Sequence, residues 1–423
     1  MSAVAPTTLP TPIPIERGVS ISVAQMQLEA ALRARGIVWE ILVAGRHIKT
    51  AKCVLRDEHG TYLEFGYGKG REDSAIAGAM FEAAEHWFCQ PSNCDRGSVE
   101  YRDSGDFLRM TPLPKSIPLE IISKTPRATM AFRKYKNLSN QQEILYPLAL
   151  SAPKYIDSRY ENSCSHELDT FDYSSLERYC SNSGVAIGSS VEEAIVHGLL
   201  ESVERDSLSR FLVKVFLNRD PFALRVLRAE TVPVELRELW VQACREVGHE
   251  VMVVELENKY GVPTFCATLV ASKYELEVAG FGSSLSRDHA FSRALHELVQ
   301  CFHANDVFHP DLLACQDAET IARFKDRPFH LRCAQLKLAA FVEAFGCRKI
   351  EYEETASRQY SPDVSTYLHD LNCRIALGGS NAYSCILNSL DGRQTVAHTF
   401  IDEQDNFFCV TEGCMVFPYS AQL

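Results

Sequence analysis

Three stretches of this chain follow one pattern, and that pattern restricts the fold more than any other feature. GYGKGREDSAIAGAMFEAAEHW begins at Gly66, GVAIGSSVEEAIVHGLLESVERD at Gly184 and GFGSSLSRDHAFSRALHELVQ at Gly280. In each, glycines follow a strand-like run and a helix opens after them. Each helix carries an alanine, a glutamate seven residues later, and Glu or Gln three further on: Ala75–Glu82–Glu85, Ala194–Glu201–Glu204 and Ala290–Glu297–Gln300. At about 3.6 residues per turn, positions i, i+7 and i+10 fall close to one helix face. The alanine and the polar groups therefore share a stripe.

The surroundings give the stripe its meaning. From 75 to 88 the sequence is AIAGAMFEAAEHWF, in which only Glu82, Glu85 and His86 are polar. A helix with so little polar surface must bury its carboxylates at least in part. A buried ionised carboxylate costs several kcal/mol unless it is paired or holds a metal. Carboxylates on related helices thus point to a hard divalent cation. Glycines leading into helix N-termini suggest free backbone N–H groups for phosphate. Together these features indicate Mg²⁺ and a nucleoside triphosphate.

Plainer roles exist for single residues. Glu193 stands three residues after Ser190 and could close a capping box. Arg293 and Glu297 are spaced i, i+4 as in a surface ion pair, and Glu204–Arg205–Asp206 could be a solvated turn of helix. Threefold recurrence at fixed spacing argues against this for the set. Lys69 lies in GKG without the GxxxxGK[ST] pattern of a phosphate-binding lysine.

Elsewhere, strand-like and helix-like runs interleave, which predicts a mixed α/β (α+β) fold. Helices are expected at 25–35, 74–89, 190–217, 234–248 and 286–303, with one helical run over 320–346. Strands are expected in GIVWEILVA, IKTAKCVLRD, TYLEFGYG, EILYPLAL, EVMVVEL and PTFCATLVA. The stretch 92–183 reads as loop-rich, suited to a lid or substrate surface. Residues 1–18, proline-rich and without a basic-then-apolar order, read as a disordered lead-in rather than a secretion signal. The rest reads as one domain over 19–423, divided into an N-terminal helix and strands (19–62), a ligand-binding core (63–303) and a C-terminal lobe (304–423). A net charge of −12 over 423 residues disfavours nucleic-acid binding. No apolar run approaches the roughly 18 residues of a membrane span. Fifteen dispersed cysteines without CxxC indicate reduced thiols in the cytoplasm, with Cys266 in VPTFCATLV a core residue.

The three signatures resemble those of YcaO-domain proteins, and GHEVMVVELENKYGVPTFCATLV between the second and third matches the family's spacing. The likeness spans 36–303. It implies a YcaO-type fold and an enzyme that uses ATP and Mg²⁺ to activate backbone amides of ribosomally made precursor peptides. A Cys, Ser or Thr side chain attacks the carbonyl carbon and the amide oxygen leaves as phosphate, giving thiazoline or oxazoline, as in modified microcins and related antibiotics. Other members form thioamides or amidines, and a non-catalytic factor of the same fold is a further possibility. By motif, the resemblance assigns Glu82, Glu85, Glu201, Glu204 and Glu297 to metal. It assigns Arg17, Ser189, Glu193, Arg205 and Arg293 to ATP, and leaves the catalytic base unidentified. It implies a partner protein that recognises the peptide leader and, for azoles, a flavin-dependent dehydrogenase. Three departures stand out: Gly78 where many members have serine, His86 where arginine is usual, and a tail, CMVFPYSAQL, with one proline, Pro418. The MVFPY end is nevertheless expected to approach the site.

Overall fold

A computed structural model describes residues 13–93, 99–156, 168–271 and 273–419, the side chains of 312–314 excepted. The described residues form a mixed α/β fold with three sheets. The first is an antiparallel meander of β1 (Val38–Ala44), β2 (Lys49–Arg56) and β3 (Tyr62–Gly70). The second is ordered β4 (Val99–Asp103), β5 (Thr129–Asn137), β13 (Ala382–Leu390), β14 (Gln394–Ile401) and β7 (Val185–Gly188). A further strand, β6 (Glu143–Pro147), pairs with β5. The third is ordered β11 (Ala279–Ser283), β10 (Thr264–Leu269), β9 (Val251–Glu255), β8 (Arg225–Leu227) and β12 (Arg348–Ile350).

Nine helices are needed to describe the packing: α1 (Ile21–Arg33), α2 (Glu72–Phe88), α3 (Val191–Leu212), α4 (Val234–Val247), α5 (Arg287–His303), α6 (Pro310–Phe324), α7 (Pro328–Gln335), α8 (Leu338–Phe345) and α9 (Val364–Leu377). The expected single run over 320–346 is corrected to the end of α6, then α7 and α8. Pro328 cannot continue a preceding helix and sits in the first turn of a new one. Leu336, at φ 49°, ends that helix in the left-handed region.

The motif glycines have a packing role that the sequence pattern alone does not show. A Cβ on Gly68 would lie 1.9 Å from the Ala75 carbonyl oxygen, one on Gly188 2.5 Å from the Ala194 nitrogen, and one on Gly282 2.2 Å from the Ala290 carbonyl oxygen. The glycine of each strand therefore abuts the backbone of the following helix at the motif alanine. All three alanines are fully buried. Two of the three helices are capped by a serine: Ser190 Oγ accepts from the Glu193 N–H at 3.1 Å, and Ser286 Oγ from the His289 N–H at 3.3 Å, whereas Arg71 before α2 makes no side-chain cap. The glycines thus serve close strand–helix packing. Gly78 belongs to the same contact, since a Cβ there would come within 3.3 Å of Gly68 Cα.

Helix α3 is buried nearly all round, as expected of a core helix. It packs on β7, β14, β11 and α9. Its polar interior residues Ser202 and Ser207 return their hydroxyls to the carbonyls of Gly198 and Val203. The expectation of disorder up to residue 18 is corrected at its inner end, because Glu16 is buried among α3, α5 and α9. Residues 1–12 of that expectation lie outside the described residues.

Replacing Gly68 or Gly282 with alanine should lower unfolding free energy by about 2–3 kcal/mol or more, because backbone has to move to admit the methyl. Urea denaturation of both variants checks this, and wild-type midpoints would contradict the packing role.

Candidate active site

The strand–helix contacts aim the carboxylate stripes of α2, α3 and α5 into one region. On α2, Glu85 Oε2 accepts from the Ile187 N–H of β7 at 3.0 Å. On α3, Glu201 Oε2 accepts from the Gly184 N–H at 3.3 Å, and Glu201 Oε1 lies 3.6 Å from Arg205 Nη2. Glu204 is only 5% exposed. On α5, Glu297 Oε2 is 2.5 Å from Nζ of Lys69, which comes from β3.

Each carboxylate lies in the field of others. Burial pushes the Glu85 carboxyl well above its usual range, and Glu201 and Glu82 add to the effect. Burial also raises Glu82, reinforced by Glu297 and opposed by His86 and Lys69. Glu204 is raised to about 7 by burial and Glu297, against Arg205 and Arg293. Glu297 differs: burial raises it, but Lys69 with Arg205 and Arg293 brings it below the ordinary value. The positive charges of the protein therefore satisfy Glu297 and leave Glu82, Glu85 and Glu204 short of compensation.

A second set of charges closes the other end of α3. Arg17 Nη1 lies 2.9 Å from Glu193 Oε1, while the Gly18 N–H donates to Glu193 Oε2 at 3.1 Å. Next to Arg17, Glu16 is enclosed by Ser284 Oγ at 2.5 Å, Tyr367 OH at 2.7 Å, Arg293 Nη1 at 3.5 Å and His289 Nε2 at 3.7 Å. Burial alone would raise the Glu16 carboxyl, but His289, Arg293 and the two hydroxyls hold it below the usual range. His197, one turn after Glu193, is kept neutral by burial and by Arg17 and Arg293.

All ten residues singled out by motif lie on α2, α3, α5, the turn before α3, or the strap 13–18 that crosses between α3 and α5. Their plainer roles do not hold here. The Glu193 side chain goes to Arg17 and Gly18 instead of closing a capping box, Arg293 pairs with Glu16 rather than Glu297, and Glu204 and Asp206 are buried. The tail is linked to α3 through the segment that precedes it. Glu412 lies in the field of Arg205 and Glu201, and the Tyr419 N–H donates to Asp405 Oδ2 at 3.2 Å. The Asp405 N–H in turn donates to Asp206 Oδ1 at 3.0 Å.

Sequence reasoning missed Glu16, Lys69, His197, Ser284 and Tyr367. A signal existed for His197, since Glu193, His197, Glu201 and Glu204 run along one face at spacings of four, four and three. Lys69 lacks a phosphate-binding pattern, and its partner is a carboxylate on α5.

The donor set fits ATP with Mg²⁺. Ser189 Oγ, His197 Nε2, Arg205 Nε and Gln300 Oε1 are buried without a hydrogen-bond partner among the described residues. Among those residues no three His, Cys, Asp or Glu side chains are gathered tightly enough to enclose an ion. Mg²⁺ suits such an arrangement, because it is usually held by one or two carboxylates completed by phosphate oxygens and water.

The Glu16→Gln variant should be less stable than wild type at pH 7. Glu16 is held below its unfolded value, so its contribution is complete above about pH 4.5 and fades as pH falls through the native value. Urea midpoints of the two proteins should therefore converge toward pH 3; a gap independent of pH would refute an ionised Glu16.

The family model described as YcaO cyclodehydratase, ATP- and Mg²⁺-binding, matches residues 67–382. Among solved structures, YcaO from Methanopyrus kandleri bound with AMPPCP and Mg²⁺ is similar at TM-score 0.65 and 20% identity, over 96% of this chain and 97% of that one. A heterocyclase in complex with substrate and cofactor gives TM-score 0.65 at 16% identity, over 95% of this chain but only 55% of that longer one. The E. coli microcin synthetase McbBCD complex with pro-MccB17 bound gives 0.53 at 13% identity, over 86% of both chains. No curated protein matches the chain. No helix among the described residues is long and apolar enough to cross a membrane. With three quarters of its length inside the family model, this chain belongs to the YcaO family, and its cofactors are that family's ATP and Mg²⁺.

Proposed function

We propose that this protein is an ATP-dependent cyclodehydratase that forms thiazoline or oxazoline rings in a ribosomally made precursor peptide. The observation that carries this reading is the group of carboxylates from three helices whose charges the protein leaves uncompensated. Glu82, Glu85, Glu201, Glu204 and Glu297 would hold Mg²⁺. Arg205, Arg293 and Ser189 would face the nucleotide, with the Arg17–Glu193 pair framing it. Bound ATP supplies a phosphoryl group that turns an amide oxygen into a leaving group.

The chain's own residues account for positioning and exclusion of water. Lys69 keeps Glu297 ionised and in place. Glu16 fixes the guanidinium of Arg293, and the strap carrying Glu16 and Arg17 covers α3 from solvent. Neutral His197 adds no positive charge beside the arginines and offers a free nitrogen. The microcin synthetase is a complex of several proteins with its propeptide. That likeness supports action within a complex with partner proteins; we further assign leader recognition to such a partner and any later oxidation to a flavin-dependent dehydrogenase.

Incubation of the precursor peptide with the protein, its partners and ATP·Mg²⁺, followed by mass spectrometry, tests the reaction. Loss of one water per ring is expected. Exchange of oxygen for sulfur would replace the azoline with a thioamide, and an unmodified peptide despite ATP consumption would overturn peptide modification. Glu82→Gln or Glu201→Gln should reduce turnover at least about 100-fold with circular dichroism unchanged.

The site also trades stability for function. Because the Glu85 carboxyl titrates above its unfolded value, its ionisation at pH 7 opposes folding. Glu85→Gln should therefore raise stability without ligands by about 0.5–2 kcal/mol while reducing stabilisation by ATP·Mg²⁺. Wild-type protein should gain about 2.7 kcal/mol at a hundredfold excess of ligand over Kd. ATP alone should give much less, since its phosphates meet unshielded carboxylates. A thermal-shift series with ATP, Mg²⁺, both, and both plus EDTA reads each effect. Equal shifts by ATP with and without metal would remove the carboxylates from metal binding.

A further inference from the structure

A cavity of about 600 Å³ lies between β11, α5, α6, α7 and the turn Asn406–Glu412. It adjoins the carboxylate site. Cys301, one turn beyond Glu297 on α5, lines it, and burial with Glu297 nearby pushes that thiol up to about 12. Glu412 lines it as well, in the field of Arg205 and Glu201.

One wall is an open sheet edge. β11 is the terminal strand of its sheet, and among the described residues no strand pairs with its outer side. The Glu277 N–H points outward, donating to Gln335 O at 3.0 Å, whereas the Ser284 N–H points inward to Pro263 O at 3.1 Å. Backbone direction alternates along an antiparallel strand, so Ala279 and Phe281 also turn their N–H and C=O groups outward. Both residues line the cavity.

The lining is acidic. Glu277, Asp317, Glu319 and Glu412 face it, against Arg323, which donates to the Gly413 carbonyl, and Lys337, which lies beside Glu277 and in the field of Asp317. The Glu277 side chain is 6% exposed: Oε2 lies 3.3 Å from Lys337 Nζ, and Oε1 is buried without a hydrogen-bond partner among the described residues. A buried, half-satisfied carboxylate beside a cavity calls for a donor from outside the protein.

We propose that this cavity takes the substrate as an extended peptide that adds to the outer edge of β11 and places a lysine or arginine near Glu277 and Asp317. Main-chain hydrogen bonds to Ala279 and Phe281 would set its register, as in strand addition generally. The acidic wall selects segments with a cationic residue close to the reacting one. β11 packs on α3, the helix of Glu204 and Arg205, so a strand laid along it runs beside the carboxylate-bearing helices. The inference rests on the reading of the substrate as a peptide.

The test uses fluorescein-labelled synthetic decapeptides of Gly, Ser and Cys containing two lysines, and counterparts with glutamates in their place. Fluorescence anisotropy is measured with wild-type protein and with the double variant Asp317→Lys, Glu319→Lys. The lysine peptide should bind wild type at least about tenfold more tightly than the glutamate peptide, and the double variant should reverse that order. Methylating alternate peptide nitrogens should weaken binding about fivefold in one parity and little in the other. Equal affinity for both peptides, or a preference unaltered by the double variant, would overturn the proposal. The ATP·Mg²⁺ thermal shift is recorded on the same samples. A normal shift without peptide binding defeats the cavity assignment alone, whereas charge-selective peptide binding without the shift supports the cavity and defeats the nucleotide reading.

Discussion

Repulsion among carboxylates brought together from three helices is the interaction on which the rest of this structure depends. Glu82, Glu85, Glu201, Glu204 and Glu297 lie within one another's fields, while among the nearby cations Lys69 serves Glu297, Arg205 lies against Glu201 and Arg293 is shared with Glu16. Such a site is unfavourable without a ligand and must be held by packing elsewhere. The direct contact of each motif helix with its glycine strand supplies that rigidity, because backbone against backbone leaves little room for the helices to splay. The same repulsion explains why metal and triphosphate belong together here: each neutralises what makes the other unwelcome.

Long-range contacts complete the region, and their geometry explains the order of the chain's N-terminal strap. Glu16 crosses more than two hundred residues of sequence to reach Arg293 and Ser284, and Arg17 reaches Glu193 in the opposite direction. Together they join the start of α3 to α5 and to Tyr367 of α9. Lys69 makes an equivalent link between β3 and α5. Lys69 ties the first unit to the third directly, and the strap bridges the second and third through Arg17 and Glu16, so the three units act as one site only in the folded chain.

Much of the architecture was legible in local sequence. The first three strands, α2, α3, α4 and α5 occur where periodicity and turn residues place them, because each owes its existence to its own apolar pattern and end signals. Local signals left open what folding decides where they had two meanings. Glycine before a helix can free amides for phosphate or permit close packing, and only the position of Ala75, Ala194 and Ala290 against those glycines reveals the packing role. A proline-rich start reads as disorder until the buried environment of Glu16 is known. Pro328, by contrast, was a local break within an apolar pattern that appeared continuous.

The carboxylate stripes were determined by sequence alone, since helical spacing fixes which side chains share a face. So was their recurrence, and with it the likeness to a nucleotide-using family. Which stripe faces which was decided by tertiary structure. Burial and distance set the charge of Glu204, the neutrality of His197 and the partner of Glu297, and these depend on residues far apart in the chain. A spacing rule describes one helix, whereas an electrostatic field sums over every charge that folding brings near.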